Sequence, residues 1–551
     1  MNTIAASFEK ATRTVLEHAR AHPVLALFLL IACQHALTFH ARSLWWSDEV
    51  RHGAVLRQML AQGDWILLRL NDVPYPDKPP IYFWFLGLLS QLLGSTQAWV
   101  ILLGLSLTVF LATLAVYAFV RGLSGSRIEG LLAALIWASG FYLVLAAHYA
   151  RMDFLFTALI ILAWIAFYRA MPDRAPRRWM ILGFLACGLA TLTKGPFGAL
   201  FPVLTLVGAL LWQGRARRLW SLDTLIGLAL FCGVILGWIL ALAEAAGWSF
   251  LASIWRGQII DRGFQIEQPF LGHGRYFITL PLVFMPWTML PFITGGWRVL
   301  APAGLQKLWR ERRAAEDANV FLWAAAIAGF AVLTLVREKH EYYLLPLLAP
   351  LAILTARSLL AAPENARRRF FGATALFAAV LAGTPALVEA LGVVPFKATG
   401  LLLSGIVMAL TAAMIWRWRA KARYAIAGLV LGQTLWINAL NIVTLPSLDA
   451  VFSPAAVARS LAAHSRPDTP LAAFAFVPGT LRYDLGRPYL DFGQRTAFID
   501  WLDQRGDALF ATPRAAFDYH LSDRKDLTVV DALNLAGDQI VIVRKGPKAS
   551  P

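Results

Sequence analysis

Long apolar runs separated by short polar turns fill the first 445 residues of the chain. Apolar runs that could cross about 30 Å of hydrocarbon number about thirteen. They lie at roughly 23–40, 97–120, 128–148, 152–170, 178–194, 196–213, 222–244, 276–298, 319–336, 342–361, 370–391, 397–416 and 424–445. The shorter run from Ile81 to Leu93 predicts an interfacial or re-entrant helix. The pattern therefore predicts an all-α polytopic membrane domain over residues 1–445, with a first outer loop at 41–96.

The pattern changes after Leu445. Residues 446–551 are charged, contain Pro and Gly, and carry β-branched runs such as Thr528–Val530 and Ile540–Val543. Such runs predict a small α/β domain outside the membrane. Its acids are interpreted as surface or capping residues, namely Asp484, Asp491 and Asp500.

Composition agrees with a membrane protein. Of 551 residues, 58% are hydrophobic and 15% are charged, which excludes a disordered chain and an ordinary soluble domain. The net charge of +17 could indicate nucleic-acid binding, but the basic residues lie in short clusters between apolar runs. That placement encodes helix orientation, so the bilayer is the expected partner and nucleic acid is not. The three cysteines lie in apolar runs without metal-ligand spacing.

The basic clusters also predict orientation. If Ile81–Leu93 does not cross, every cluster falls on the side of the N-terminus, including 367–369 and 417–423. The positive-inside rule then places the N-terminus in the cytoplasm. The loop at 41–96 and the C-terminal domain lie on the outer face in this arrangement.

Ionisable residues that are not orientation signals converge on the same face. Asp48 could simply begin a helix as a cap, but Arg51 lies one turn on and Asp153 opens a later span on that face. Two acids at separate helix ends near one interface suit general-base work, substrate orientation or a shared cation.

Two lysines are further candidates for binding a phosphate. Lys78 lies between Tyr75-Pro-Asp77 and Pro79-Pro80, and the prolines prevent a helix and hold the lysine on an extended segment. Lys194 ends a span before Gly195-Pro196, where snorkelling to lipid headgroups is the alternative. Tyr343 begins another span, and taken by itself it is interpreted as part of the interfacial aromatic belt.

A divalent metal ion is a weaker prediction. His273 and Arg275 follow the outer loop at 245–275. Asp77 or Asp48 together with His273 could bind a divalent ion. No cofactor is required by the sequence.

The first-loop residues resemble those of the bacterial aminoarabinose transferases. These enzymes belong to the polyprenyl-phosphate-dependent, protein-mannosyltransferase-like glycosyltransferases of the GT-C fold. The resemblance rests on Asp48-Glu49-x-Arg51, Gly63-Asp64-Trp65, Leu70-Asn71, Pro74-Tyr75 and Lys78-Pro79-Pro80, with Tyr82 and Trp84 beyond. Asp153 and the segment Lys339-x-x-x-Tyr343-x-Leu345-Pro346 fit as well.

The resemblance implies a bacterial inner-membrane glycosyltransferase with a periplasmic active site. It would move a monosaccharide, 4-amino-4-deoxy-L-arabinose in the aminoarabinose enzymes, from undecaprenyl phosphate to an acceptor such as lipid A. Asp48 and Asp153 would lie at the reacting centre. The carrier phosphate would be bound by Arg51, Tyr75, Lys78, Lys194, Tyr343 and Arg275. Asp77 stands where the family usually has glutamate, and the C-terminal domain is short for a lipid A enzyme.

Several alternatives stay open. The acceptor could be another glycan or a protein, and direct displacement at the sugar would invert its anomeric centre. A transporter or flippase would show broken helices, acids near mid-membrane and repeated halves, whereas this chain has charges at one interface and no repeat. A purely structural membrane protein explains neither the Pro-flanked Lys78 nor the pair of acids.

Overall fold

The apolar runs fold as helices, because within a bilayer a helix satisfies all its backbone hydrogen bonds internally. The computed structural model describes residues 2–45, 47–257, 272–311, 316–336, 338–390 and 399–546. The first ten helices are α1 Asn2–Ala21, α2 Pro23–His35, α3 Thr38–Ala41, α4 Asp48–Gln62, α5 Ile81–Leu93, α6 Ala98–Leu123, α7 Arg127–Ala138, α8 Phe141–Ala146, α9 Asp153–Ala170 and α10 Arg177–Lys194.

The next eleven helices are α11 Phe197–Trp212, α12 Leu222–Ala246, α13 Trp248–Ile254, α14 Arg275–Val283, α15 Met289–Thr294, α16 Pro302–Arg310, α17 Asp317–Leu335, α18 Leu345–Ala361, α19 Glu364–Ala390, α20 Thr399–Trp418 and α21 Ala422–Ala439. Short 3-10 turns lie at Ala216–Trp220, Gly272–Gly274, Gly296–Leu300 and Glu341–Leu344, and a π-helical turn at Leu440–Thr444. Five helices follow: α22 Leu445–Phe452, α23 Ala455–Ala463, α24 Arg482–Leu485, α25 Arg495–Asp503 and α26 Arg514–His520.

Seven helical segments of the described residues are long and apolar enough to cross a membrane, so the protein is polytopic. They are Ala98–Leu123, Asp153–Ala170, Leu222–Ala246, Asp317–Leu335, Glu341–Ala361, Leu401–Trp418 and Ala422–Phe452. The all-α membrane fold is confirmed, but the count of thirteen spans is not. The run from Ile81 to Leu93 is a helix of 13 residues, which extends about 20 Å at 1.5 Å per residue.

Two predicted spans are each broken into shorter helices. The run at 128–148 contains α7 and α8, which are separated at Ser139 and Gly140. The run at 276–298 contains α14 and α15, with Pro286 between them. Proline has no backbone N–H to donate and clashes with the preceding turn, so a continuous helix cannot pass through it at low cost.

Packing divides the chain into two units. The membrane unit consists of residues 1–37, 76–82 and 104–440. The loop–sheet unit consists of residues 38–75, 83–103 and 441–551. Most of the first outer loop therefore packs in the same unit as the C-terminal residues, whereas the sequence predicted a division at residue 445.

Glycines bring three helices of the membrane unit into close contact. A Cβ atom on Gly183 of α10 would lie 2.3 Å from the ring of Phe167 on α9. A Cβ atom on Gly198 of α11 would lie 2.3 Å from the backbone of Ala190 on α10. Trp164 of α9 is 1% exposed and donates its Nε1–H to Thr205 of α11 at 3.0 Å. These contacts hold α9, α10 and α11 against one another at helix-to-helix distances that larger residues would prevent.

Among its described residues, the loop–sheet unit contains seven strands in two sheets. Strands β1 Arg69–Leu70 and β2 Val73–Pro74 form a hairpin. The larger sheet contains β3 Leu471–Phe474, β4 Leu490–Phe492, β5 Ala508–Pro513, β6 Leu527–Leu535 and β7 Asp538–Lys545. Its order is β4-β3-β5-β7-β6, with β3 parallel to β4 and β5, and β7 antiparallel to β5 and β6. The predicted small α/β region is thus confirmed.

Helices cover both faces of the larger sheet. On one face, Val457 and Leu461 of α23 pack in a core with Leu471 and Ala473 of β3. On the other face, Phe498 of α25 packs in a core with the alternating β3 residues. A strand alternates its side chains between faces. Because both faces of β3 are buried, all its side chains are apolar and its sequence is a continuous apolar run.

Candidate active site

Asp153 and Lys194 meet because their helices run antiparallel side by side. Asp153 is the first residue of α9 and Lys194 is the last residue of α10. A carboxylate is favourable at a helix N-terminus and a cation at a C-terminus. The Lys194 ammonium donates to Oδ1 of Asp153, and the Asp153 residue is only 2% exposed. Removing one partner of such a buried pair typically costs about 3–5 kcal/mol, because the other charge is left uncompensated.

A second cation shares the same carboxylate. The Nε atom of Arg151 lies 3.2 Å from Oδ2 of Asp153. The Arg151 guanidinium also lies over the Tyr342 ring, 3.8 Å from its centroid. The Lys194 ammonium lies 4.9 Å from the Tyr342 centroid and 4.3 Å from that of Tyr343. These five residues, Arg151, Asp153, Lys194, Tyr342 and Tyr343, form what is called here the Asp153 cluster.

The Asp153 cluster corrects two alternatives from the sequence. Lys194 does not snorkel towards lipid headgroups, because its side chain is only 11% exposed and is directed to Asp153. Tyr343 is partly buried beside the Lys194 ammonium rather than in an exposed aromatic belt.

Lys78 belongs to the same unit. The segment from Tyr75 to Pro80 is not helical, as its prolines predict, and Lys78 is half-buried. Its charge lies within electrostatic range of Lys194. Arg151 and Lys194 of the membrane unit therefore share one carboxylate, and Lys78 adds positive charge within range of Lys194, an arrangement suited to an anionic ligand.

Arg275 and Lys339 already have partners. The Arg275 guanidinium forms an ion pair with Glu341. Lys339, which is 1% exposed, donates to the carbonyls of Leu333, Thr334 and Val336 at 2.6–2.9 Å. These carbonyls end α17, where a helix leaves acceptors unsatisfied, so Lys339 has a structural role. Burial lowers the pKa of the Lys339 ammonium from its ordinary value.

The first-loop candidates lie together in the loop–sheet unit. Asp48 is the first residue of α4, and its carboxylate lies 3.9 Å from Arg51, one turn later. The Arg51 guanidinium lies 5.6 Å from the centroid of the Tyr75 ring, and Tyr75 is 5% exposed. Asp48, Arg51 and Tyr75 are called the first-loop cluster.

Glu49, next to Asp48, has a different environment. Both oxygens of Glu49 accept from the Arg42 guanidinium, at 2.5 and 2.7 Å, and both side chains are 0% exposed. The Trp45 backbone N–H donates to the same carboxylate at 2.8 Å. The pair ties the chain before α4 to the start of that helix.

A metal ion finds little support among the described residues. Within the described ranges, no group of three His, Cys, Asp or Glu side chains is placed to hold a metal. Asp77 is half-buried, and the His273 side chain lies outside the described side chains. The predicted divalent ion therefore stays a prediction.

Arg151 and Tyr342 are the residues that sequence reasoning missed. Arg151 lies two residues before Asp153 in a turn predicted to face the same side as the first loop. Tyr342 directly precedes Tyr343 in the 3-10 turn Glu341–Leu344. The available signal was an arginine next to a candidate acid at a helix start. Likewise, the C-terminal acids Asp484 and Asp491 prove to be partly buried, and only Asp500 is exposed as expected.

The described residues thus form a polytopic helical membrane protein with a buried charged cluster at its helix ends and a small α/β region. Two solved structures have this fold: ArnT from Cupriavidus metallidurans bound to undecaprenyl phosphate and the same protein in the apo state. The first matches at 21% identity and TM-score 0.75, over 95% of this chain and 98% of that one. The second matches at 20% identity and TM-score 0.72, over 93% and 97%.

Sequence comparisons point the same way. Residues 77–240 match the family model of dolichyl-phosphate-mannose-protein mannosyltransferase. An undecaprenyl phosphate-alpha-4-amino-4-deoxy-L-arabinose arabinosyl transferase from Pseudomonas aeruginosa (strain LESB58) is 33% identical over 323 residues, 57% of this chain and 56% of that protein. A transferase of that name, numbered 1, from Pseudomonas fluorescens (strain Pf0-1) is 28% identical over 362 residues, 65% of this chain and 61% of that protein.

The chain thus spans about 56–61% of the length of these curated relatives. The chain is similar to the aminoarabinose transferases and has the fold of the two solved structures, so the resemblance predicted from the first-loop residues is confirmed. The roles of individual site residues stay predictions.

Proposed function

We propose that this protein is a glycosyltransferase of the bacterial inner membrane. It moves 4-amino-4-deoxy-L-arabinose from an undecaprenyl-phosphate carrier to an acceptor on the periplasmic side, lipid A. The relatives support the donor, because their names specify undecaprenyl phosphate and this sugar. The lipid A acceptor rests on the resemblance of the first-loop residues.

The observation that carries the proposal is the Asp153 cluster. Arg151 and Lys194 share one buried carboxylate, and Lys78 adds positive charge within range of Lys194. A membrane protein rarely holds several cations near one acid unless an anion or a polar substrate uses them. A phosphodiester at the head of a lipid carrier has the required charge and the apolar tail that the bilayer accommodates.

The reaction would be a displacement at the anomeric carbon of the sugar. The bond between that carbon and the carrier phosphate oxygen breaks, and the oxygen leaves with the bonding electrons as carrier monophosphate. An acceptor oxygen forms the new bond from the opposite face, so the anomeric centre inverts. Lys78, Lys194 and Tyr343 would stabilise the charge that grows on the leaving phosphate. Loss of one such contact costs about 3 kcal/mol, or about a hundredfold in rate.

The first-loop cluster would act on the sugar and the carrier. Arg51 and Tyr75 would contact the carrier phosphate, and Arg275 would do so only by exchanging its contact with Glu341. Asp48 would orient the sugar through its amine or accept a proton from a hydroxyl acceptor. A phosphate acceptor needs no base, so the role of Asp48 follows from the acceptor.

A protein or glycan acceptor is the second candidate. The family model that matches residues 77–240 describes transferases that modify proteins. The short C-terminal sheet region favours this candidate over lipid A if acceptors bind through that region. A transporter has no comparable support, because the relatives are named as transferases.

Transfer by the purified full-length chain tests the proposal. The chain is incubated with radiolabelled undecaprenyl-phosphate aminoarabinose and, in parallel, with lipid A, a periplasmic protein extract and oligosaccharide. We expect label in lipid A, reduced about a hundredfold by Lys78→Ala or Asp153→Asn. Lys10→Ala, an exposed lysine of α1, is the matched control and should keep full activity.

The outcomes separate the candidates. Label in protein but not in lipid A would establish the second acceptor. Full transfer by both site variants would refute the proposed site, and no transfer to any of the acceptors by the wild-type chain would refute the proposed function.

The proposed orientation has its own test. Tyr519 is 83% exposed in the C-terminal region, and Lys10 is exposed in α1. With the native cysteines replaced, Tyr519→Cys should react with a membrane-impermeant maleimide in spheroplasts, whereas Lys10→Cys should react only after lysis. The reverse pattern would place the proposed site in the cytoplasm and contradict the proposal.

A further inference from the structure

The turn of the first-loop hairpin has an uncommon backbone. The register of β1 and β2 pairs Leu70 with Val73, so Asn71 and Asp72 are the two central residues of the turn. Their φ angles are 55° and 65°. Positive φ at both positions is the geometry of a type I′ turn, which suits the right-handed twist of hairpins. Asn and Asp tolerate this region better than other residues with a side chain.

The Asn71 side chain pairs with the C-terminal sheet. It is 8% exposed, and its Nδ2 donates to the Tyr489 carbonyl at 2.5 Å. Its Oδ1 accepts from the Tyr489 N–H at 3.3 Å. The amide thus forms both hydrogen bonds that a neighbouring peptide group would form. Tyr489 directly precedes β4, one of the two edge strands of the sheet, and edge strands carry backbone groups that need partners.

Asp491 of β4 joins the same contact. Its Oδ2 accepts from Asn71 Nδ2 at 2.9 Å and from the Gly479 N–H at 3.0 Å. Gly479 has a φ of +77°, and a Cβ atom there would lie 2.4 Å from Leu70 of β1. The glycine therefore allows the hairpin to approach the sheet closely. A side chain of any size at position 479 would separate the two.

The contact leads to the first-loop cluster. The charge of Asp491 attracts Arg51, which also lies 3.9 Å from Asp48 and over the Tyr75 ring. Tyr75 follows the hairpin directly, and its N–H donates to the Leu68 carbonyl at 2.8 Å. The position of Arg51 and Tyr75 therefore depends on where the hairpin is held.

We propose that Asn71 and Asp491 are positioning residues for sugar transfer, which hold the first-loop hairpin on the C-terminal sheet and thereby place Arg51 and Tyr75 against the carrier phosphate. This inference rests on the proposed function. It assigns the C-terminal sheet a role in donor binding, although neither residue touches the donor. The first-loop string that resembles the aminoarabinose transferases then depends on a residue more than 400 positions later in the chain.

Exchange of the amide and the carboxylate between positions 71 and 491 of the full-length chain tests the inference. Asn71→Asp places two carboxylates against each other and removes the donor to Tyr489. Asp491→Asn alone removes the attraction on Arg51. The double variant Asn71→Asp/Asp491→Asn restores the amide–carboxylate pair in the opposite sense but still lacks the donor to the Tyr489 carbonyl. Asp500→Asn, in an exposed acid of the same region, is the matched control.

We expect the donor KM to rise about tenfold in Asn71→Asp and to recover only in part, to about threefold above wild type, in the double variant, which regains the pair with residue 491 but not the contact with Tyr489. A merely structural role would lower the active fraction, and hence kcat, at unchanged KM. A second readout needs no activity: hydrogen exchange at the amides of Tyr75 and Gly479 should accelerate about tenfold in Asn71→Asp and slow again in the double variant.

The two proposals fail in different ways. Wild-type transfer with an unchanged donor KM and unchanged exchange in Asn71→Asp would overturn the positioning role and leave the proposed function intact. Failure of the double variant to recover either measurement would also overturn the pairing. Absence of transfer in the wild-type chain would overturn the proposed function itself, and the positioning role in that reaction with it.

Discussion

Asp48 and Glu49 are adjacent acids at the start of α4, yet they differ in burial and in the length of their ion pairs. Glu49 is 0% exposed and forms two short contacts with Arg42. The Asp48 side chain is 20% exposed and lies 3.9 Å from Arg51, whose side chain is 15% exposed. The Glu49–Arg42 pair is inaccessible to solvent, whereas the Asp48–Arg51 pair has a longer N–O distance and is partly exposed to solvent. A carboxylate with saturated partners stabilises a structure, and one at a longer distance can exchange its partner for a substrate.

The Asp153 cluster is an intermediate case. Asp153 is as buried as Glu49, but it has two cationic partners from different segments, Arg151 and Lys194. Two cations on one acid leave positive charge for an anion, which the Glu49 pair does not. Burial alone therefore does not distinguish a structural acid from a functional one; the balance of charge around it does.

The largest expected effect concerns stability. Glu49→Gln leaves the Arg42 guanidinium buried beside a neutral amide, so the free energy of unfolding should fall by about 3–5 kcal/mol. Asp48→Asn, one residue earlier, should lower it by no more than about 1 kcal/mol because its pair is partly exposed. Unfolding of the purified chain in mixed micelles measures both. Equal losses in the two variants would remove the distinction between the acids.

The second effect concerns activity. Asp48→Asn should reduce transfer of the sugar about a hundredfold, equivalent to about 3 kcal/mol, while the protein stays folded. Initial rates at saturating donor measure the loss, and Asp500→Asn serves as the control. Wild-type rates in Asp48→Asn would show that the exposed pair is structural after all.

A third acid, Asp484, sharpens the comparison through pH. Burial raises its pKa from an ordinary 3.8 to about 6, and the attraction of Arg57 only partly offsets this. Its Oδ2 is buried without a donor among the described residues. Since the folded state holds the proton more tightly, its contribution to stability is present below pH 4 and is lost as pH rises to about 6.

Asp484→Asn should abolish that dependence and stabilise the chain at pH 7 by up to about 3 kcal/mol. Unfolding measured from pH 4 to pH 7 tests the sign. A variant that is less stable than wild type at pH 7 would mean that the carboxylate has an ionic partner. Glu49 has an ionic partner, so its neutralisation in Glu49→Gln should lower the stability of the chain at pH 7.

The smallest effect concerns Arg51. Arg51→Lys keeps the charge near Asp48 but loses the planar group that lies over Tyr75. We expect the donor KM to rise about tenfold with little change in stability. Donor titrations measure it, with Arg69→Lys on the hairpin as a control. A KM equal to that of wild type would show that charge alone is used.

Much of the candidate site was predictable because its residues stand at helix ends and next to prolines. Asp48, Asp153 and Lys194 occupy the first or last positions of helices, which apolar periodicity locates within a few residues. Lys78 is flanked by prolines that exclude a helix from any fold. Arg151 and Tyr342 were missed because their importance comes from packing across α9, α10 and the turn before α18, and no local pattern signals it.

The sequence by itself determined that this is a helical membrane protein with a small α/β region and where most of its helices lie, because hydrophobic length, proline and helix-end charge act over a few residues. Tertiary structure alone decided which charges meet. Asp153 and Lys194 are 41 residues apart, and Asn71 and Asp491 are 420 apart. Such contacts depend on helix packing and on the closeness that Gly183, Gly198 and Gly479 permit. Their energies come from desolvated charges in a fixed geometry, which a linear pattern of residues does not contain.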